Sequence, residues 1–129
     1  MDGNIIMGRR YKLSGGIVNL SRKTVVSSRR RLVSSVLGKA WGLMLSRRVK
    51  TSLVFVLGSE QKIALHMLFV FCPIDVLLLD RNKKVVELKE NLKPFAFYTG
   101  RKKAKYVIEL PAGSIRSSRT RVGDMIRIQ

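Results

Sequence analysis

Cysteine and histidine are almost missing from this 129-residue chain: Cys72 and His66 stand alone. A single cysteine excludes an intramolecular disulfide framework and a cysteine-based metal site, and it suits a reducing, cytoplasmic setting. One histidine with one cysteine also excludes the usual His/Cys zinc arrangements. Phosphate-binding glycine signatures are absent. Neither GxxxxGKS/T nor GxGxxG occurs, and PAGS (111–114) and VGD (122–124) read as turns. No helix-turn-helix, zinc-finger or RNP aromatic signature is present. MDGNIIMGRRYKL lacks a continuous apolar core, so no secretory signal is expected there. Long hydrophobic runs are lacking too. The best stretch, 63–79, contains His66, Pro73 and Asp75, whereas a membrane span needs about 20 apolar residues and tolerates a central Asp poorly. No transmembrane segment is therefore expected.

That same stretch is the densest part of the chain. HMLFVFCPIDVLLLD (66–80) divides at Pro73 into two pieces, each of a strand's length. Both parities are apolar, which predicts strands covered on both faces. Strand character recurs at 17–20, 24–27, 52–58, 85–92, 106–110 and 125–129. The polar pieces between them read as turns: SRK (21–23), GSEQ (58–61), DRNKK (80–84, with Asn82 as a residue tolerant of the left-handed region) and PAG (111–113). YTGRKKAK (98–105) reads as a basic loop and SIRSSRTRVGD as an irregular polar segment holding at most one helical turn. Val36, Leu37, Ala40, Trp41 and Met44 have helical spacing, weakened by Gly38 and Gly42.

The reading is an all-β fold: a compact antiparallel β-sandwich, jelly-roll-like, or a distorted barrel, with one short helix. Residues 1–14 form a basic N-terminal segment, ordered in part at best, and 15–129 a single β domain. The hydrophobic content of 46% supports a real core.

Several stretches carry a resemblance. WGLM (41–44), HMLFVFCPIDVLLLD (66–80), KVVELKENLKPF (84–95), AKYVIELPAGSI (104–115) and VGDMI (122–126) occur in order. With them the chain closely resembles the prokaryotic family called domain of unknown function 192, in its archaeal branch, over roughly 17–128. The resemblance implies a compact, mostly antiparallel β domain with a short helix. It implies no reaction, ligand or partner, so no catalytic residue is carried over. Many bacterial relatives have Trp-Met-Lys-Asn where this chain has Leu65-His66-Met67-Leu68, which removes polar groups here.

Two sets of residues are candidates for function. His66, Asp75 and Glu109 lie in or beside apolar runs, and together they would make a polar pocket fit for acid/base work. In the plainer account each serves as a hydrogen-bonding group. His66 would do so near a strand start, while Asp75 and Glu109 would accept backbone N–H groups or pair with Lys or Arg. Trp41 and Cys72 read as core residues. A short nest at Gly113-Ser114-Ile115 has the form of an anion site, although turn formation accounts for it.

The second set is cationic. Net charge is +18, and the clusters are Arg9-Arg10, Arg29-Arg30-Arg31, Arg47-Arg48-Lys50 and Arg101-Lys102-Lys103. Such a surface attracts nucleic acid or another polyanion through phosphate contacts, without sequence readout. Three functions follow: a non-enzymatic binding module, a nucleic-acid or polyanion binder using Arg29, Arg30, Arg31, Arg47, Arg48, Arg101, Lys102 and Lys103, and an enzyme with a small pocket around His66, Asp75 and Glu109. No cofactor is implied.

Overall fold

The computed structural model describes residues 16–33, 52–66 and 72–129, without the side chains of residues 31–33, 65 and 66. The segment 1–14, the helix expected around Trp41 and the Arg47-Arg48 cluster lie outside these residues. In chain order the elements are β1 (Ile17–Asn19), β2 (Thr24–Ser27), β3 (Arg30–Val33), β4 (Ser52–Gln61), β5 (Ala64–His66), β6 (Ile74–Leu79), β7 (Val85–Leu92), β8 (Phe97–Thr99), β9 (Ala104–Pro111), α1 (Ser114–Ser118) and β10 (Ile126–Ile128). The fold is all-β with one short helix among the described residues and no closed barrel. No helix among them is long and apolar enough to cross a membrane.

A five-stranded sheet in the order β3-β4-β9-β6-β7 forms the middle layer. Its pairs are antiparallel except β3 with β4, which run parallel. β6 lies inside this sheet and all six of its residues are buried. Its two parities feed two separate cores, as the doubly apolar pattern requires. Val76 and Leu78 pack with Phe55, Leu57, Ile63, Leu92 and Val107. Leu77 and Leu79 pack with Ile17, Val26, Val54, Ile108, Ile115 and Ile126. The first face is covered by the β5–β8 ribbon, the second by α1 and the three-stranded sheet β10-β1-β2.

Several local expectations are corrected. β4 does not stop at Gly58; it continues to Gln61, with an irregularity between Val56 and Gln61 that absorbs the glycine. β8 forms where the sequence suggests only a basic loop, because Ala64–His66 supplies it with a partner. The turn after β6 is built by Asp80, whose Oδ1 accepts the N–H groups of Asn82 (2.8 Å) and Lys84 (3.0 Å). Its left-handed residue is Lys83, at φ 65°, and not Asn82. Cys72 is exposed rather than core, because it sits in the connection that enters β6 and not in the strand.

β7 is an edge strand with two bulges. Leu79 faces Val85 while Leu78 faces Glu87, which leaves Val86 over; Val76 faces Lys89 while Ile74 faces Leu92, which leaves a second extra residue before Leu92. The first bulge turns Val86 and Glu87 toward the ribbon side, while Val85 and Leu88 stay on the helix side. The segment 121–125 runs along the start of this edge. Val85 N–H donates to the Asp124 carbonyl (2.9 Å) and Gly123 N–H to the Val85 carbonyl (2.8 Å). The start of this edge, at Val85, is thus capped by the protein's own chain.

Candidate functional site

Asp75 and Glu109 are both fully buried, yet the structure does not bring them together. In the β6–β9 register Asp75 faces Leu110, and Val76 faces Glu109. Facing residues share a side of the sheet and successive residues alternate, so the two carboxylates point to opposite faces. The pocket that would join them is therefore corrected. The side chain of His66, on the ribbon, lies outside what the structure describes.

Asp75 is engaged entirely by main chain. Its Oδ1 accepts the Asn91 N–H (2.8 Å), and Oδ2 accepts those of Gly113 (3.1 Å) and Ile115 (2.9 Å). Asn91 is the left-handed residue in the second bulge of β7, and Gly113, at φ 97°, caps the start of α1. The Gly113–Ile115 nest does hold an anion, and that anion is the chain's own carboxylate.

Other acids act in the same way. Glu87 Oε1 accepts the N–H groups of Arg101 (2.8 Å) and Lys102 (3.0 Å), while Oε2 accepts the Tyr98 hydroxyl. Burial raises the Glu87 carboxyl, but the Tyr98 hydroxyl and the two amides outweigh it and hold it below its ordinary value. Burial, with the Glu87 carboxylate, pushes the Tyr98 hydroxyl well above its ordinary range. Asp124 Oδ2 accepts from Asn19 Nδ2 (2.9 Å), the Arg121 N–H (2.9 Å) and Arg22 Nε (3.1 Å). Asn19 Nδ2 also reaches Thr120 Oγ1 (3.0 Å), which lies 2.7 Å from Ser118 Oγ. This network ties the β1–β2 turn to the segment after α1.

Three acids thus fix the backbone around β7 and leave cations facing out. On the helix side, a hollow of about 440 Å³ is lined by Leu88, Glu90, Arg116, Arg119, Arg121 and Val122, among others. On the ribbon side, one of about 490 Å³ is lined by Val86, Glu87, Tyr98, Arg101, Lys102 and, again, Val122. Both are lined by Leu88 and Val122, so the two hollows adjoin at the edge of the sheet and are taken together as one groove. Among the described residues, none of its five cationic side chains is ion-paired; the pairs found there are Arg22–Asp124 and Arg81–Glu60.

Of the sequence-predicted cations, Arg101 and Lys102 line this groove, and Lys103 is exposed beside them. Arg29 is exposed, while Arg30 donates from Nε to the Gln129 carbonyl. Arg30 and Arg31 lie on β3, at the opposite edge of the five-stranded sheet. The Arg31 side chain, Arg47 and Arg48 lie outside what the structure describes. Sequence reasoning missed Arg116, Arg119 and Arg121. Their spacing is irregular, and only α1 and the left-handed Arg119 (φ 57°) gather them. The one signal in the sequence was a polar segment with three arginines and a single acid, Asp124.

Asp124 gives a pH prediction. Burial raises its carboxyl, but Asn19, the Arg121 amide and Arg22 prevail and lower it. A depressed folded value adds stability above the unfolded value of about 3.9, and that stability is lost as pH falls through the folded value. Asp124→Asn is expected to cost about 1–3 kcal/mol at neutral pH. The gap to the parent should close below about pH 4, read as melting temperature against pH. A gap that stays constant down to about pH 2 would contradict it.

Comparison with known proteins places these features in context. A family model described as Uncharacterized ACR, DUF192, matches residues 19–128. A UPF0127 protein of Thermococcus sibiricus is 36% identical over 112 residues, covering 85% of this chain and 72% of its own. A UPF0127 protein of Pyrococcus horikoshii is 35% identical over 113 residues, covering 86% and 96%. A Sinorhizobium meliloti crystal structure, of a protein put forward as a transcription regulator, superposes with a TM-score of 0.74 at 22% identity, over 88% of this chain and 90% of that one. One from Novosphingobium aromaticivorans, of unknown function, gives 0.73 at 17% identity, over 87% and 81%. At those identities the likeness is one of fold.

Proposed function

We propose that this chain, which belongs to the DUF192 family, is a non-enzymatic cytoplasmic binding module that takes a polyanion in the groove over β7. One observation carries the reading: Arg101, Lys102, Arg116, Arg119 and Arg121 surround the groove, against two carboxylates, Glu87 and Glu90. Glu87 is already held by Tyr98 and two backbone amides. Exposed cations that form no ion pair among the described residues are suited to phosphate contacts, and no base-specific geometry is needed. The acid/base alternative is the weaker one, because Asp75 and Glu109 face away from each other.

Fluorescence anisotropy with labelled oligonucleotides, single- and double-stranded, tests the proposal. Five phosphate contacts to a single strand predict a log–log salt slope of about −3.5, so raising salt from about 50 to 200 mM weakens binding about a hundredfold. A slope near zero, or no binding at low salt, would sink it.

A further inference from the structure

The groove is not uniformly cationic. Its two halves meet at Val122, which is 60% exposed, and at half-buried Leu88, and half-buried Tyr98 lines the ribbon side. An apolar side chain this open, fixed where two cationic hollows join, is a place for an apolar face between two charged groups. Val122 is held there by main chain, since its neighbours Gly123 and Asp124 bond to Val85. Arg116, Arg119 and Arg121 lie on one side of it and Arg101 and Lys102 on the other.

Resting on the polyanion reading above, we infer that the groove selects single-stranded nucleic acid, with an unpaired base on Val122 and Leu88 and the flanking phosphates on the arginines. A duplex hides its base faces in the stack, and polyphosphate has none, so either would leave the apolar junction uncovered. A single strand supplies both chemistries, phosphates for the cations and unpaired base faces for the apolar junction, and apolar contact with a base face carries no hydrogen-bond readout of sequence. The hollows are open and adjoin at Val122 and Leu88, which suits a chain laid across them better than a small molecule enclosed on all sides.

The test compares four probes on the full chain: a labelled single strand, the same strand with abasic sites throughout, its duplex, and polyphosphate of matched charge. Covering Val122 and Leu88 with a base removes apolar surface from water, so the intact strand is expected to bind about tenfold tighter than the abasic strand or the duplex. Val122→Ser should weaken the intact strand about fivefold and leave the abasic strand unchanged. Val122 is exposed, so this substitution leaves folding intact, which circular dichroism verifies. Equal, salt-sensitive binding of all four probes would overturn the base contact and leave the polyanion reading standing. Failure of every probe to bind would overturn both.

Discussion

Asp75→Ala is expected to lower the free energy of unfolding by about 3–4 kcal/mol, since three buried or half-buried N–H groups lose a charged acceptor. That is a large part of the roughly 5–15 kcal/mol that holds a domain folded. The effect is large because one side chain fastens three places distant in sequence: β6 itself, the bulge at Asn91 and the start of α1 at Gly113 and Ile115. Asp75→Asn should recover little. An amide offers one acceptor oxygen, and its NH₂ would face an N–H group on the other side. Urea unfolding followed by far-ultraviolet circular dichroism measures the loss. Amide hydrogen exchange should show Asn91, Gly113 and Ile115 losing protection together. A cost below about 1 kcal/mol would mean that water replaces the carboxylate and that α1 docks by Ile115 packing alone.

Replacing Arg101, Lys102, Arg116, Arg119 and Arg121 together by glutamine is expected to cut polyanion affinity at low salt by at least about a hundredfold and to flatten the salt slope toward zero. Net charge alone would weaken binding somewhat, so the control must remove as many charges elsewhere. Lys23, Arg29, Lys62, Lys93 and Arg127 are exposed and line neither hollow. Glutamine at those five should change affinity about threefold or less, because the slope reports local phosphate contacts more than the distant field. Equal losses in the two variants would place binding on the whole surface and remove the groove from the account. All ten side chains are exposed, so both variants should unfold at nearly the parent's denaturant concentration.

How far the sequence led depended on the range of the interaction. Features set by neighbours in the chain were readable. The doubly apolar pattern of 74–79 gave a strand covered on both faces, and the polar breaks gave the β1–β2 and β6–β7 turns. Features set by register were not. Whether Asp75 and Glu109 meet depends on a one-residue offset between β6 and β9, which neither strand's composition encodes. The groove was hidden for a related reason. Its arginines at 116, 119 and 121 are brought to Arg101 and Lys102 only through the bulge at Val86 and the path of 121–125 along β7. Charge runs point to Arg101–Lys103, two of which line the groove, and equally to Arg29–Arg31, where Arg30 is engaged by the Gln129 main-chain oxygen. The scarce acids were the better guide. Asp75, Glu87 and Asp124 mark the places where the backbone must be held, and the cations left over mark the surface.

The pairing of β1 with β10 also orders events during synthesis. Ile17 sits opposite Ile128, and Asn19 opposite Ile126. On a ribosome, β1 and β2 emerge early and can form only a two-stranded ribbon, which is marginal in water. Their sheet cannot be completed until residues 126–128 have cleared the exit tunnel. Nor can Asn19 reach Asp124 and Thr120 before then. At about 5–20 residues per second, the apolar face of Ile17 and Val26 waits several seconds for its cover. A nascent chain that has not yet exposed residues 126–128 should present those side chains to a chaperone.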